Sequence, residues 1–384
     1  MRSRAVWAVG VVLLLAACSA TPAAVPTSAP TSLPPSTPTP TAAPDPLAGW
    51  TLEQKIGQIV MVGVNLAAPQ QASIDAVTTE HVGNVFLQNR TAAGTQPVLD
   101  LVHRFTDQVA DATTHGTPLL VGVDQEGGQV QTLTGPGFST MPPALAQGAL
   151  SPADLQSSAE TWGRELAAAG VTLNLAPVVD IPTQEGAAAN APIGHYQREF
   201  GYDLSTVTTH GDAFAAGMAA AGVDTAVKHF PGLGRVTGDT DTTANVTDDV
   251  TGPSSDQVAS FQHAIDRGTP FVMVSTAIYA LIDPSAPAAF SAPVVTDLLR
   301  GTLGYDGVVL TDDVSAAAQV AAWTPGDRAI DAISAGCDIV LASKDPTVLP
   351  AMIAALTQKA ESDPEFAAKV DAAVLRVLAA KHAG

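Results

Sequence analysis

The chain has 384 residues, with 17 basic against 37 acidic side chains, a formal net charge of −20 and two cysteines. Clustered Lys and Arg are what bind polyanions, so the acidic excess excludes nucleic acid and anionic lipid as partners for the body of the protein. With only Cys18 and Cys337 available, stability must come from a buried apolar core rather than from a disulfide framework.

At the N-terminus, Arg2 and Arg4 precede a short apolar run at 5–17. The run is too short for a permanent membrane span and has the layout of an export signal. Leu15-Ala16-Ala17-Cys18 resembles the lipobox of bacterial lipoproteins. That resemblance implies cleavage before Cys18 and lipid attachment to it. Pro, Thr, Ser and Ala then dominate up to residue 46. Such a segment builds no core and favours extended polyproline conformations. The expected organisation is a signal peptide at 1–17, a lipidated Cys18 with its tether at 18–46, and one domain at 47–384. The domain would face the extracytoplasmic side of the cell membrane, held there through the lipid.

Beyond the tether, apolar runs of strand length fall at 56–64, 82–87, 118–123, 172–179, 225–230, 271–275, 307–311 and 338–342. Ala-rich amphipathic segments fall at 153–168, 207–221, 257–267, 292–299, 325–334, 347–360 and 365–381. Several strand segments are continuous Val/Leu/Ile runs, the pattern of strands covered on both faces. Eight strands with intervening helices predict an α/β fold, a single (β/α)8 TIM barrel. An open doubly wound sheet is the alternative, but the chain has no glycine-rich phosphate loop or dinucleotide fingerprint to go with it.

In a barrel, the residues just past the strand ends converge on one face. Four of these ends are polar: Asp124-Gln125-Glu126-Gly127-Gly128, Asn174 with Asp180, Lys228-His229-Phe230-Pro231-Gly232, and Asp312-Asp313. Singly, an Asp after a strand can cap a helix and a Gly can serve a turn. Four such clusters on one face point instead to a site. Asp312 alone could be a nucleophile, a ligand or a cap.

Together, the segments at 124–128 (DQEGG), 174–181 (NLAPVVDI), 228–232 (KHFPG) and 311–313 (TDD) resemble glycoside hydrolase family 3. The likeness is strongest to the single-domain bacterial β-N-acetylglucosaminidases of the NagZ type. It runs from Leu52 to the last helical segment, and Gly336-Cys337-Asp338 matches a frequent turn before the eighth strand. The resemblance implies a TIM barrel and retaining hydrolysis of a terminal β-linked amino sugar. It makes Asp312 the nucleophile and assigns Asp124, Arg198, Lys228 and His229 to sugar binding. Asp313 is either a competitor for the nucleophile's role or a cap, and Glu126 serves either the site or a turn.

The chain departs from the family pattern in three places. Thr132 stands where an Arg is frequent, and Glu199 follows Arg198 in place of a serine. The loop after the fifth strand reads Leu233-Gly234-Arg235-Val236-Thr237-Gly238-Asp239-Thr240-Asp241. There Asp241 takes the place of the family's acid/base histidine, and Asp239 keeps the place of its partner. Asp241 is therefore the candidate general acid/base, with Asp239 expected to raise its proton affinity as a neighbouring like charge. Alternatively, both cap turns in a surface loop. No metal or other cofactor is expected, since the chain has no HExxH pattern, Cys pair or calcium loop. A monomer is expected. The alternative functions are another exo-β-glycosidase, such as a β-glucosidase, or a glycan-binding lipoprotein with little catalysis.

Overall fold

The computed structural model describes residues 18, 19, 23 and 45–383. The expected export signal and most of the expected tether lie outside the described residues. Cys18 is exposed. From Asp45 onward the chain forms one compact unit.

Eight parallel strands follow one another: β1 (Val60–Asn65), β2 (Asn84–Gln88), β3 (Leu120–Val123), β4 (Leu173–Asn174), β5 (Asp224–Phe230), β6 (Phe271–Val274), β7 (Val308–Thr311) and β8 (Val340–Ala342). Hydrogen bonding runs β7-β6-β5-β4-β3-β2-β1-β8. The ring is completed where Leu310 bridges Ile339 and the Thr311 amide donates to the Ile339 carbonyl at 3.0 Å. This is the predicted (β/α)8 barrel.

Around it stand α1 (Leu52–Gln58), α2 (Gln71–Thr78), α3 (Thr95–Thr106), α4 (Pro152–Ala168), α5 (Leu204–Ala220), α6 (Asp256–Asp266), α7 (Pro325–Ala335), α8 (Leu349–Ser362) and α9 (Pro364–Ala383). A wider π-type helix, Pro293–Thr302, links β6 to β7.

The alternation of side chains along each strand divides the apolar residues between two cores. Met61, Phe86, Leu120, Leu173, Phe271, Met273, Val308, Leu310 and Leu341 form one buried cluster that α9 joins through Val377. Val60, Val62, Val64, Val85, Val121, Val272 and Val309 belong to the other, which includes the helices. These alternating sets place one core inside the barrel and the other beneath its helical coat.

Two expectations are corrected. The first predicted strand began at residue 56, yet 52–58 is helical. Thr51 accepts from the Gln54 amide while the Gln54 side chain accepts from the Thr51 amide, a capping box that fixes a helix start. The fourth strand was predicted over 172–179, but only Leu173–Asn174 is regular. Pro177 has no amide to donate, which breaks the ladder. The chain still runs beside β5, with Val179 donating to the Lys228 carbonyl at 3.0 Å, so Asp180 is delivered to the site.

Candidate active site

The ends of β2–β8 surround a cavity of about 420 Å³. Asp124, Arg198, Lys228, His229, Asp239, Asp241, Asp312 and Asp313 all line it, so these residues share one cavity.

The floor is a buried charge network. Lys228 Nζ lies 2.6 Å from Asp124 Oδ1 and 2.7 Å from Glu126 Oε1. The Arg198 guanidinium donates to both Glu126 oxygens, at 2.8 and 2.7 Å. Burial alone would push the Glu126 carboxyl up, but Arg198 and Lys228 outweigh it and hold the group down at about 2. Burial also opposes the Lys228 charge, yet Asp124 and Glu126 keep its affinity for the proton above the usual lysine value. Glu126 therefore has a definite place here: it sets two cations beneath the cavity and is not a turn former. Asp124 remains partly open and offers acceptors to hydroxyl groups.

His229 sits between this network and Asp180. Its Nδ1 is 2.8 Å from Asp180 Oδ2 and its Nε2 is 3.3 Å from Arg198 Nη2. Burial, reinforced by Arg198 and Lys228, keeps the imidazole well below its ordinary range, so the ring is neutral.

Asp312 follows β7, its amide donating to the Val274 carbonyl at 2.9 Å. Burial first, and the nearby Asp241 second, raise its carboxyl to about 7, against the pull of the Asp313 amide and Lys228. Asp313 turns away into scaffolding. Its oxygens accept from the Ser315, Ala316 and Ser343 amides and the Ser315 hydroxyl. The helix-cap alternative for Asp313 was thus close: it pins the loops after β7 and β8 to each other.

The loop carrying Asp241 is docked rather than free. Gly232 adopts φ +132°, and a Cβ there would stand 2.3 Å from the Gln257 side chain, so the loop's first turn requires glycine. Asn190 donates to the Leu233 and Val236 carbonyls at 2.8 and 2.7 Å. Further on, the Ala318 and Gln319 amides donate to the Asp241 and Thr240 carbonyls, both at 3.1 Å.

Asp239 makes a turn contact. Its Oδ1 accepts the Asp241 amide at 2.9 Å, the contact of a turn former, and the like charge raising a partner's carboxyl is Asp241 acting on Asp312. Asp241 Oδ2 lies 2.5 Å from Lys344 Nζ, a residue that sequence reasoning missed. Its signal was a lysine two residues beyond β8, the same kind of strand-end position that exposed the other clusters. Among the described residues, no group of three or more His, Cys, Asp or Glu side chains is placed to hold a metal ion.

The model of the glycosyl hydrolase family 3 N-terminal domain matches residues 51–380. The chain belongs to glycosyl hydrolase family 3. A solved β-N-acetylhexosaminidase from Beutenbergia cavernae is 59% identical, with a TM-score of 0.86 over 86% of this chain and 98% of that one. Mycobacterium tuberculosis LpqI is 29% identical, with a TM-score of 0.73 over 86% of this chain and 94% of that one. A β-hexosaminidase of Chromobacterium violaceum is 34% identical over 261 residues, 66% of this chain and 70% of the relative. As a family 3 glycoside hydrolase, the chain combines a buried charged floor with a loop carrying carboxylates at 239 and 241.

Proposed function

We propose that this family 3 enzyme is a retaining exo-β-N-acetylhexosaminidase that releases terminal non-reducing GlcNAc from peptidoglycan fragments or related glycans. The observation that carries the reading is one cavity that holds Asp312 and Asp241 above the Asp124–Lys228–Arg198–His229 floor. The hexosaminidase relatives favour an N-acetylated sugar on that floor.

In the proposed reaction, Asp312 attacks the anomeric carbon as the glycosidic bond breaks, and Asp241 protonates the departing oxygen. Asp241 then takes a proton from water, which attacks the anomeric carbon and frees Asp312 with the β configuration restored. The two carboxyls must share one proton for this cycle, and their mutual repulsion favours that state. The domain works outside the cell membrane, anchored by a lipid on Cys18 through the tether at 18–46.

A panel of p-nitrophenyl sugars and a GlcNAc-terminated peptidoglycan disaccharide tests the substrate. The β-GlcNAc glycoside is expected to be cleaved well, the disaccharide to yield free GlcNAc, and the β-glucoside to react poorly. Glucoside turnover without GlcNAc turnover overturns the assignment, as does binding of these sugars with no cleavage.

A further inference from the structure

Asp180 touches no part of the cavity surface, yet it joins two of its working parts. It is fully buried. Oδ2 meets His229 Nδ1 at 2.8 Å, while Oδ1 accepts the Leu233 amide at 2.8 Å and the His229 amide at 3.2 Å. On the far side of the ring, His229 Nε2 faces Arg198 Nη2 at 3.3 Å. A guanidinium has no acceptor, so Nε2 must carry the lone pair and Nδ1 the proton. That ring proton then needs an acceptor in a buried place, and Asp180 is the acceptor 2.8 Å away.

We propose that Asp180 is the positioning residue of this site, fixing His229 as its Nδ1–H tautomer and tethering the start of the loop that carries Asp241. Both oxygens of Asp180 receive only donors, so the contacts call for a carboxylate, although burial raises the group to about 7. The tautomer presents an acceptor to Arg198, whose other contacts go to Glu126 and the Pro192 carbonyl. The same carboxylate holds Leu233, where the loop leaves the barrel. One buried group thereby sets the sugar-facing ring and the root of the acid loop. Its importance for catalysis rests on the sugar-binding reading of His229 and Arg198; its control of the tautomer does not.

Asp180→Asn separates the two. The amide oxygen keeps an acceptor for the backbone, but the amide nitrogen donates to His229 Nδ1 and forces the proton onto Nε2, against Arg198. Nitrogen-15 NMR of the imidazole, assigned by comparison with His229→Gln, is expected to move from the Nδ1–H to the Nε2–H pattern. In parallel, kcat/KM is expected to fall about ten- to a hundred-fold, mostly through KM, while the melting transition stays cooperative. Asp180→Glu keeps an acceptor and is expected to retain the Nδ1–H pattern. An unchanged tautomer in Asp180→Asn overturns the proposal. A switched tautomer with kcat/KM within two-fold of the parent leaves Asp180 setting the ring but overturns its functional part, and with it the sugar-binding reading of His229. If Asp180→Asn does not fold, Asp180→Glu decides: an Nε2–H ring in that variant overturns the proposal.

Discussion

Asp312 and Asp241 are the residues through which the chemistry is proposed to run, and their surroundings differ. Asp312 lies half-buried at the end of β7, and burial together with Asp241 raises its carboxyl to about 7. Asp241 stands nearer the opening, in contact with Lys344. The proposed cycle requires a proton on Asp241 when the leaving group arrives. Asp241→Asn tests that assignment. On a glycoside with a poor leaving group, kcat/KM is expected to drop by about 10²–10⁴, because no proton reaches the oxygen. On a dinitrophenyl glycoside, whose leaving group departs unprotonated, the drop should be much smaller. An equal loss on both substrates would remove Asp241 from the acid's role.

At the level of elements, what was legible depended on how locally each feature is encoded. The strands of the barrel were visible as Val/Leu/Ile runs because both faces are covered, and α4, α5, α6 and α7 fell close to their predicted limits. α1 was hidden because Ile56 and Ile59-Val60 continue the apolar run of β1; only the Thr51–Gln54 capping box separates helix from strand. β4 was overestimated because its apolar residues remain buried after Pro177 breaks the ladder.

The cavity's residues were legible as strand ends, since a barrel brings consecutive ends together whatever lies between. What escaped was pairing. No spacing in the sequence tells that Lys344 crosses to Asp241, that Glu126 holds both Arg198 and Lys228, or that Asp180 holds His229 and Leu233. Those contacts join loops far apart in the chain. The setting of Asp239 and Asp241 escaped for the same reason. Two residues apart, they use a backbone amide to form a turn, and the carboxylate that Asp241 acts on, Asp312, follows β7, two strands along the barrel from β5.

Across the whole molecule, the buried carboxyls make stability depend on pH in two opposite ways. Asp312 is raised from 3.8 to about 7. Between those values the folded protein binds protons that the unfolded chain releases, so stability falls as pH rises through the window and levels off above it. Glu126 is lowered from 4.5 to about 2. Its contribution is present above its unfolded value and is lost as pH falls toward 2. The melting temperature is therefore expected to peak at about pH 4, where the two opposing slopes cancel, and to decline toward about pH 7. In Asp312→Asn that decline should be shallower. A melting temperature that rises steadily from pH 5 to pH 8 in the parent protein would contradict this electrostatic picture.

The central claim is that Asp312 forms a covalent bond to the sugar during turnover. An activated 5-fluoro β-GlcNAc donor, which slows hydrolysis of the glycosyl-enzyme, makes that bond observable by mass spectrometry of the intact protein and of its peptides. The account predicts a mass increase of one fluoro-GlcNAc unit, lost slowly on washing and mapped to the peptide containing Asp312. Slow turnover of the donor with no adduct, or an adduct on any other residue, would contradict it.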